Sequence, residues 1–348
     1  MHLFAACNSA QSFFYKKILA AVLVSPITHL KQKSLQALLS AFPCVIENTV
    51  VLVGAARSGT TWLAEILRTL PGYKYLNEPL HQKRNPGAAR AGLDWRPFLD
   101  PNDDPLPAAE AYVDWALTGR IVGDWHLSAS SRVGRLFEHA KQRRLLVKFV
   151  RAGRMLQWIS KNFEIRGMVF IVRHPCAVVS SMIEHGAWSS MNPTGDTLVD
   201  YLGGSVPPAL EEDIRARVSV LPRTRVEQLA LLWALDHYVP FHYFGSHGYP
   251  WTLVPYEALL QDGPDEIERI FEALNSEVPK SAHDHLVEAS GSASQDLQVD
   301  NTHRQLFKWK RALEPEQVNS IIRIAHAFDL DFYTESVEPD YDLLFQYQ

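Results

Sequence analysis

Apolar residues along this chain gather into five short runs, each too brief for a helix of ordinary length. They are Thr49–Val53, Tyr73–Leu76, Leu145–Phe149, Val169–Val172 and Trp251–Pro255. All five are strand candidates, and the uninterrupted apolar runs Thr49–Val53 and Val169–Val172 predict strands buried on both faces, as in parallel sheets. Between them, apolar positions recur at helical spacing over Thr60–Leu70, Ser131–Gln142, Arg154–Asn162, Pro175–Glu184 and Val226–Phe244. Strands alternating with helices predict an α/β fold, a parallel sheet with helices on both faces. Two stretches break the alternation. Gln82–Pro107, with Trp95 and Phe98, and Gly186–Pro222, with Trp188, Met191 and Tyr201, are turn-rich and predict insertions over the sheet's carboxyl edge. Their rings either stack on a bound ring or anchor the loops to the core.

Composition changes this picture little. The 348 residues are 47% hydrophobic and 21% charged, enough for a single enlarged domain. We place it at residues 48–335, after an N-terminal helical extension (1–47) and before a C-terminal tail (336–348). The net charge of −5 gives no support for a nucleic-acid partner, so any anion must be held by a few placed cations. Cys7, Cys44 and Cys176 are too scattered for a disulfide framework or a zinc site. No metal is expected, and a reducing, cytoplasmic compartment is the simpler reading. Within the extension, Ile18–Ile27 is apolar but too short to span a bilayer. An amphipathic helix over Ser12–Phe42 is expected, packed on the domain or touching a membrane surface as a peripheral contact.

The candidate chemistry begins at Val53-Gly-Ala-Ala-Arg-Ser-Gly-Thr-Thr-Trp-Leu63, between a predicted strand and a predicted helix. Backbone N–H groups at such a helix start form an anion cradle. Gly54 and Gly59 have the separation of a nucleotide-kinase phosphate loop and Thr61 holds its hydroxyl position, but Thr60 replaces the lysine. The cation stands inside the loop, as Arg57. A phosphate is still expected there, whereas metal-assisted attack on a γ-phosphate is disfavoured. A second site follows at Met168–Ser181, where Val169–Val172 ends on Arg173 and Pro175 opens a helix. Arginine at a strand's carboxyl end lies where open α/β sheets bind ligands, and its fork suits a phosphate. Ser181, eight positions on, could bring a hydroxyl to the same anion.

Together these motifs resemble the sulfotransferase family, which transfers a sulfuryl group from 3′-phosphoadenosine 5′-phosphosulfate (PAPS). Arg-Ser-Gly-Thr-Thr is the loop of the carbohydrate and tyrosylprotein branches, and Trp62 resembles the adenine-stacking ring of the cytosolic branch. The resemblance implies a P-loop-like parallel sheet. It implies that Arg57, Ser58, Gly59, Thr60, Thr61 and Trp62 bind the 5′ side of PAPS, with Arg173 and Ser181 on the 3′-phosphate. It extends through Val254-Pro-Tyr-Glu257 and Lys308-Trp-Lys-Arg311 to about Tyr333, with Ser290–Asn301 as a candidate lid. The glycine-lysine signature that closes cytosolic members is absent.

Sulfuryl transfer needs a base for the acceptor hydroxyl and positive charge on the sulfuryl and leaving oxygens. By resemblance the base is Glu78, 21 positions after Arg57, where the tyrosylprotein branch has its glutamate. Its alternative is a structural ion pair with Arg57 or a turn cap. His81 and His126 are weaker base candidates. Lys148, inside an apolar strand, is costly to bury without an anion and resembles the lysine that contacts the sulfuryl group. Arg57, Lys148 and Glu78 are thus the expected catalytic set. Arg151 and Arg154 could bind either an acidic acceptor or the donor. The implied acceptor is a hydroxylated saccharide, glycolipid or small metabolite. A P-loop kinase or NTPase, and a nucleotide-binding module without turnover, are the competing classes.

Overall fold

The computed structural model describes residues 36, 37, 39–102, 106–122, 142–186, 206–219, 224–243, 248–287 and 302–348. Most of the N-terminal extension, His126, the Ser131–Gln142 helix apart from its last residue, the side chains Trp188, Met191 and Tyr201, and the whole Ser290–Asn301 segment fall outside these. The apolar runs form five parallel strands: β1 (Thr49–Gly54), β2 (Tyr73–Asn77), β3 (Arg144–Phe149), β4 (Gly167–Val172) and β5 (Thr252–Pro255). Their order is β2-β3-β1-β4-β5. β1 is central, with Thr49 opposite Leu145 on β3 and Val50 opposite Gly167 on β4.

Side chains alternate across a strand, and here both faces are apolar. Val50 and Leu52 face one core with Leu63, Ile66 and Leu67 of helix α1 (Thr60–Leu67), and with Ile267, Ile270 and Phe271. Val51 and Val53 face the other, with α2 (Pro175–His185) and α3 (Arg225–Tyr243). β1 and β4 are therefore continuous hydrophobic runs, as read from the sequence, whereas the edge strand β2 alternates buried and half-buried positions. The C-terminal residues close the second core, with Tyr347 stacked on Phe241 and Leu344 buried.

The first insertion is not structureless. It contains one helical turn at Pro86–Arg90 and is followed by a helix at Pro107–Leu117, while Pro208–Ser219 of the second insertion is also helical. Each of these helices begins with proline, which costs nothing at a first helical position. The strand order reverses around β1: the chain runs to β2 and β3 on one side and to β4 and β5 on the other. This switch point leaves a crevice beyond the carboxyl ends of the strands.

Candidate functional site

Four strand ends feed the crevice. After β1 the chain turns tightly through Ala55–Gly59 before α1 begins. Arg57 (φ 69°) and Gly59 (φ 95°) both adopt left-handed backbone. Gly59 has a second requirement besides its φ: a Cβ there would sit 2.5 Å from the Tyr256 ring. At Gly54 a Cβ would meet Ile171 Cγ2 at 2.6 Å, so the loop leaves the sheet pressed against β4. The result is a backbone cradle at the start of an eight-residue helix whose first residues are Thr60 and Thr61.

The loop and the second motif meet. The Arg57 Nε–H donates to Ser181 Oγ at 3.0 Å, and Arg173 Nη1 donates to the Arg57 carbonyl at 3.1 Å. The Arg173 guanidinium lies over the Tyr256 ring, 4.1 Å from its centroid, and Trp62 meets the same ring edge-on at 5.6 Å. The Trp62 indole N–H donates to the His285 carbonyl. Burial, then repulsion from Arg173, pulls the Arg57 guanidinium below its ordinary range, with Glu184 partly opposing. Among the described residues no carboxylate lies within 4.0 Å of either guanidinium. Ser58 Oγ and Arg173 Nε are buried with no hydrogen-bond partner. Buried polar atoms are ordinarily satisfied, so these two point to a ligand's acceptor oxygens.

Arg173 is held from behind by a buried polar lock. Its carbonyl accepts from the Trp233 indole N–H. Next to it, the His174 N–H donates to Glu257 Oε1, and the Tyr333 hydroxyl donates to Oε2, both at 2.9 Å. Burial pushes the Glu257 carboxyl up to about 7. His174 stacks on Trp309, and burial pushes it down to about 3, so its ring is neutral near pH 7. Nδ1 then accepts from the Cys176 N–H, and the protonated Nε2 faces the carbonyls of Thr334 and Ser336.

The other half of the crevice is built from β2 and β3. Register places Asn77 opposite Lys148, and the Glu78 N–H donates to the Lys148 carbonyl at 2.8 Å. Glu78 itself is left-handed (φ 47°), strained backbone for a residue of this kind, and Asn85 pins its carbonyl. Lys148, 4% exposed, reaches Thr61 Oγ1 at 3.2 Å and Glu78 Oε1 at 3.9 Å. Burial lowers its pKa, with Glu78 opposing. The firmer partner of Glu78 is Arg151, whose Nη1 lies 2.7 Å from Oε2. The Arg151 guanidinium lies over the Trp95 ring, 4.1 Å from its centroid, and His81 meets Trp95 edge-on. Burial, then Arg151, lowers the His81 pKa. Behind these, Arg96 and Arg154 both pair with Asp236.

The structure therefore gathers Arg57, Ser58, Gly59, Thr60, Thr61, Trp62, Arg173 and Ser181 around one part of the crevice, and Glu78 and Lys148 beside them. Glu78 pairs with Arg151 and Lys148 rather than with Arg57. Sequence reasoning quoted Tyr256 only within Val254-Pro-Tyr-Glu257 and gave it no role at the site, where it packs on Gly59, Trp62 and Arg173; it did not foresee the Trp95–Arg151 contact. A tyrosine just after a strand was the available signal for the first. Nothing local signalled the second.

A five-stranded parallel sheet with a tight glycine-flanked loop at its switch point defines an α/β protein with a candidate anion site there. Residues 49–208 match the model of the Sulfotransferase family, and the five-stranded parallel sheet flanked by helices is consistent with that family's α/β fold. No curated protein sequence matches significantly. Similar solved structures include the sulfotransferase domain of the Synechococcus PCC 7002 olefin synthase (19% identity, 83% of this chain and 96% of that one, TM-score 0.38). Others are the sulfotransferase domain of the curacin biosynthetic pathway (14%, 80% and 96%, TM-score 0.42) and mouse sulfotransferase SULT7A1 complexed with PAP (14%, 86% and 94%, TM-score 0.37). Among the described residues no group of three or more His, Cys, Asp or Glu could hold a metal ion, and no helix is long and apolar enough to cross a membrane.

Proposed function

We propose that this protein transfers a sulfuryl group from PAPS to an acceptor hydroxyl of a saccharide, glycolipid or small metabolite, with Glu78 as the base. One observation carries the reading: a buried lysine bridges the Glu78 carboxylate and the Thr61 hydroxyl in the first turn of α1, the helix fed by a loop whose Arg57, like Arg173, has no carboxylate in reach among the described residues. Donor-side residues fit a nucleotide with separated phosphates. The N–H groups of Ser58–Thr61 and the Arg57 guanidinium would hold the 5′-phosphosulfate. Arg173 and Ser181 would hold the 3′-phosphate, and Trp62 and Tyr256 would border the adenine.

PAPS supplies the sulfuryl group. Glu78 takes the acceptor's proton as the new S–O bond forms, and the bond between sulfur and the 5′-phosphate oxygen breaks to release PAP. Lys148 and Arg57 balance charge on the sulfuryl and leaving oxygens, a role in which positioning and electrostatics do most of the work. The competing kinase reading gives Arg173 and Ser181 no phosphate to bind.

Two measurements test this. PAP should raise the melting temperature more than AMP or ATP at equal concentration, with or without chelator, because a ligand binding only the folded state stabilises it by mass action. Sulfate-labelled PAPS with an acceptor library, read by mass spectrometry, should give a product heavier by one sulfuryl group. A larger shift with ATP than with PAP, and no labelled product, would sink the proposal.

A further inference from the structure

The pairing of Glu78 with Arg151 conflicts with proton uptake. A carboxylate held at 2.7 Å by a guanidinium is a charge-assisted pair, and accepting a proton abolishes that charge. Both partners are mostly buried, with side chains 14% (Arg151) and 17% (Glu78) exposed. Breaking such a pair by neutralising one member leaves an uncompensated buried charge, which is strongly unfavourable. Lys148 escapes this cost, since its ammonium also faces Thr61 and the start of α1, where the sulfuryl oxygens would lie. Among the described residues Arg151 has no such alternative. Its neighbours are another cation, Arg96, the ring of Trp95, and an Asp236 already paired with Arg96 and Arg154.

Arg151 nevertheless keeps donors in reserve. Only Nη1 is used by Glu78, and Nε is buried with no hydrogen-bond partner. The Nε–Nη2 edge of a guanidinium is a bidentate slot for a carboxylate or sulfate. The Trp95 ring beneath the guanidinium restricts its movement, and Arg151 lines, with Arg96, Arg154 and Asp236, a small cavity of about 10 Å³, room for one water.

We infer that Arg151 is the acceptor-specificity residue: it takes an anionic group, a carboxylate or sulfate ester, carried by the acceptor near the hydroxyl to be sulfated. This rests on the reading of Glu78 as base. The incoming anion supplies Arg151 with a new counter-charge just as Glu78 is neutralised. Binding of the acid and release of the base are thereby one event, and a neutral acceptor leaves Glu78 latched.

The test compares matched acceptors differing only in the acid: para-nitrophenyl β-glucuronide against β-glucoside, and hydroxybenzoate against its methyl ester. Each is assayed with labelled PAPS. Wild type should favour the acid of at least one pair by about tenfold or more in kcat/KM, with part of the gain in kcat. In Arg151→Gln the acid should fall to within about twofold of its neutral partner, while turnover of the neutral partner does not fall. Arg151→Lys keeps the charge without the fork and should retain a reduced preference. PAP-induced thermal stabilisation, unchanged in both variants, shows that each is folded. Transfer by wild type with equal rates for acid and neutral partners overturns the inference alone. So does an equal fall of both partners in Arg151→Gln, which makes Arg151 structural. Absence of transfer to every acceptor, with normal PAP binding, counts against the base assignment and this inference together.

Discussion

The two halves of the crevice handle charge in opposite ways. Around β1 and β4, Arg57 and Arg173 sit side by side, spaced by backbone, a serine hydroxyl and the Tyr256 ring, with no carboxylate in reach among the described residues. Around β2 and β3, Lys148 and Arg151 share Glu78, and Arg96 and Arg154 share Asp236. The first half has no internal counter-charge among the described residues, whereas in the second each pair of cations shares one carboxylate. An ion-paired cluster can hold its geometry before substrate arrives. Juxtaposed cations instead store repulsion that a polyanion relieves, which makes affinity there steeply dependent on phosphate number.

The largest effect expected from this contrast is at Glu78. Glu78→Gln keeps the shape but cannot take a proton, so turnover should drop by about a hundredfold or more while PAP affinity stays near wild type. Normal turnover would move the base to His81 or His126. Next is Arg173→Lys, which replaces a fork by a point charge. PAP affinity should fall by about tenfold or more, the scale of a charged hydrogen bond, while AMP, lacking the 3′-phosphate, barely changes. Equal weakening of both nucleotides would make Arg173 structural and blur the division between the halves.

Gly59→Ala should cost about 1–3 kcal/mol of stability, since it strains left-handed backbone and drives a methyl into Tyr256. Chemical denaturation measures it, and a variant as stable as wild type would show that the ring moves freely.

The smallest effect lies beneath Arg173. Burial raises Glu257 from 4.5 to about 7, so the folded state binds this proton more tightly than the unfolded one. Its contribution to stability is therefore full below about pH 4.5 and is lost as pH rises through about 7. His174 and His237, pushed down to about 3 and about 4, contribute the opposite slope as they charge on unfolding. The wild-type profile hence mixes both. Glu257→Gln removes only the descending part, so its melting temperature relative to wild type should climb across that interval. A flat difference would show that Glu257 is ionised throughout.

Much of the frame was legible because burial on both faces writes strands as unbroken apolar runs. All five strands were bounded to within two residues, and Thr60–Leu70 ran only one turn past the end of α1. Glycines 54 and 59 also showed the separation of a phosphate loop, between a strand and a helix that both formed. The helices at Pro107–Leu117 and Pro208–Ser219 were not predicted. In the latter, Glu211, Glu212, Asp213, Arg215 and Arg217 crowd out periodicity, leaving Ile214 and Val218 as its buried apolar residues. The Glu78–Arg151 pair was illegible for another reason. Its members are far apart in sequence and meet only through the β2–β3 register, which no local pattern encodes. Likewise the stack of Arg151 on Trp95 depends on how an insertion folds back over the sheet.

The central position of β1 has a consequence for how this molecule is made. Its first hydrogen-bonded neighbour, β3, lies about a hundred residues downstream, and its second, β4, further still. Strand β2, which emerges from the ribosome next, never pairs with it. Until β3 is available, the Val-Val-Leu-Val stretch has both edges open, the condition in which such segments associate with other chains. Non-local parallel pairing also closes slowly, because loop entropy must be lost before contacts compensate. The phosphate loop hangs from that same strand. Nucleotide cannot template the early chain, and a shortened product ending before β4 should be aggregation-prone rather than partly active.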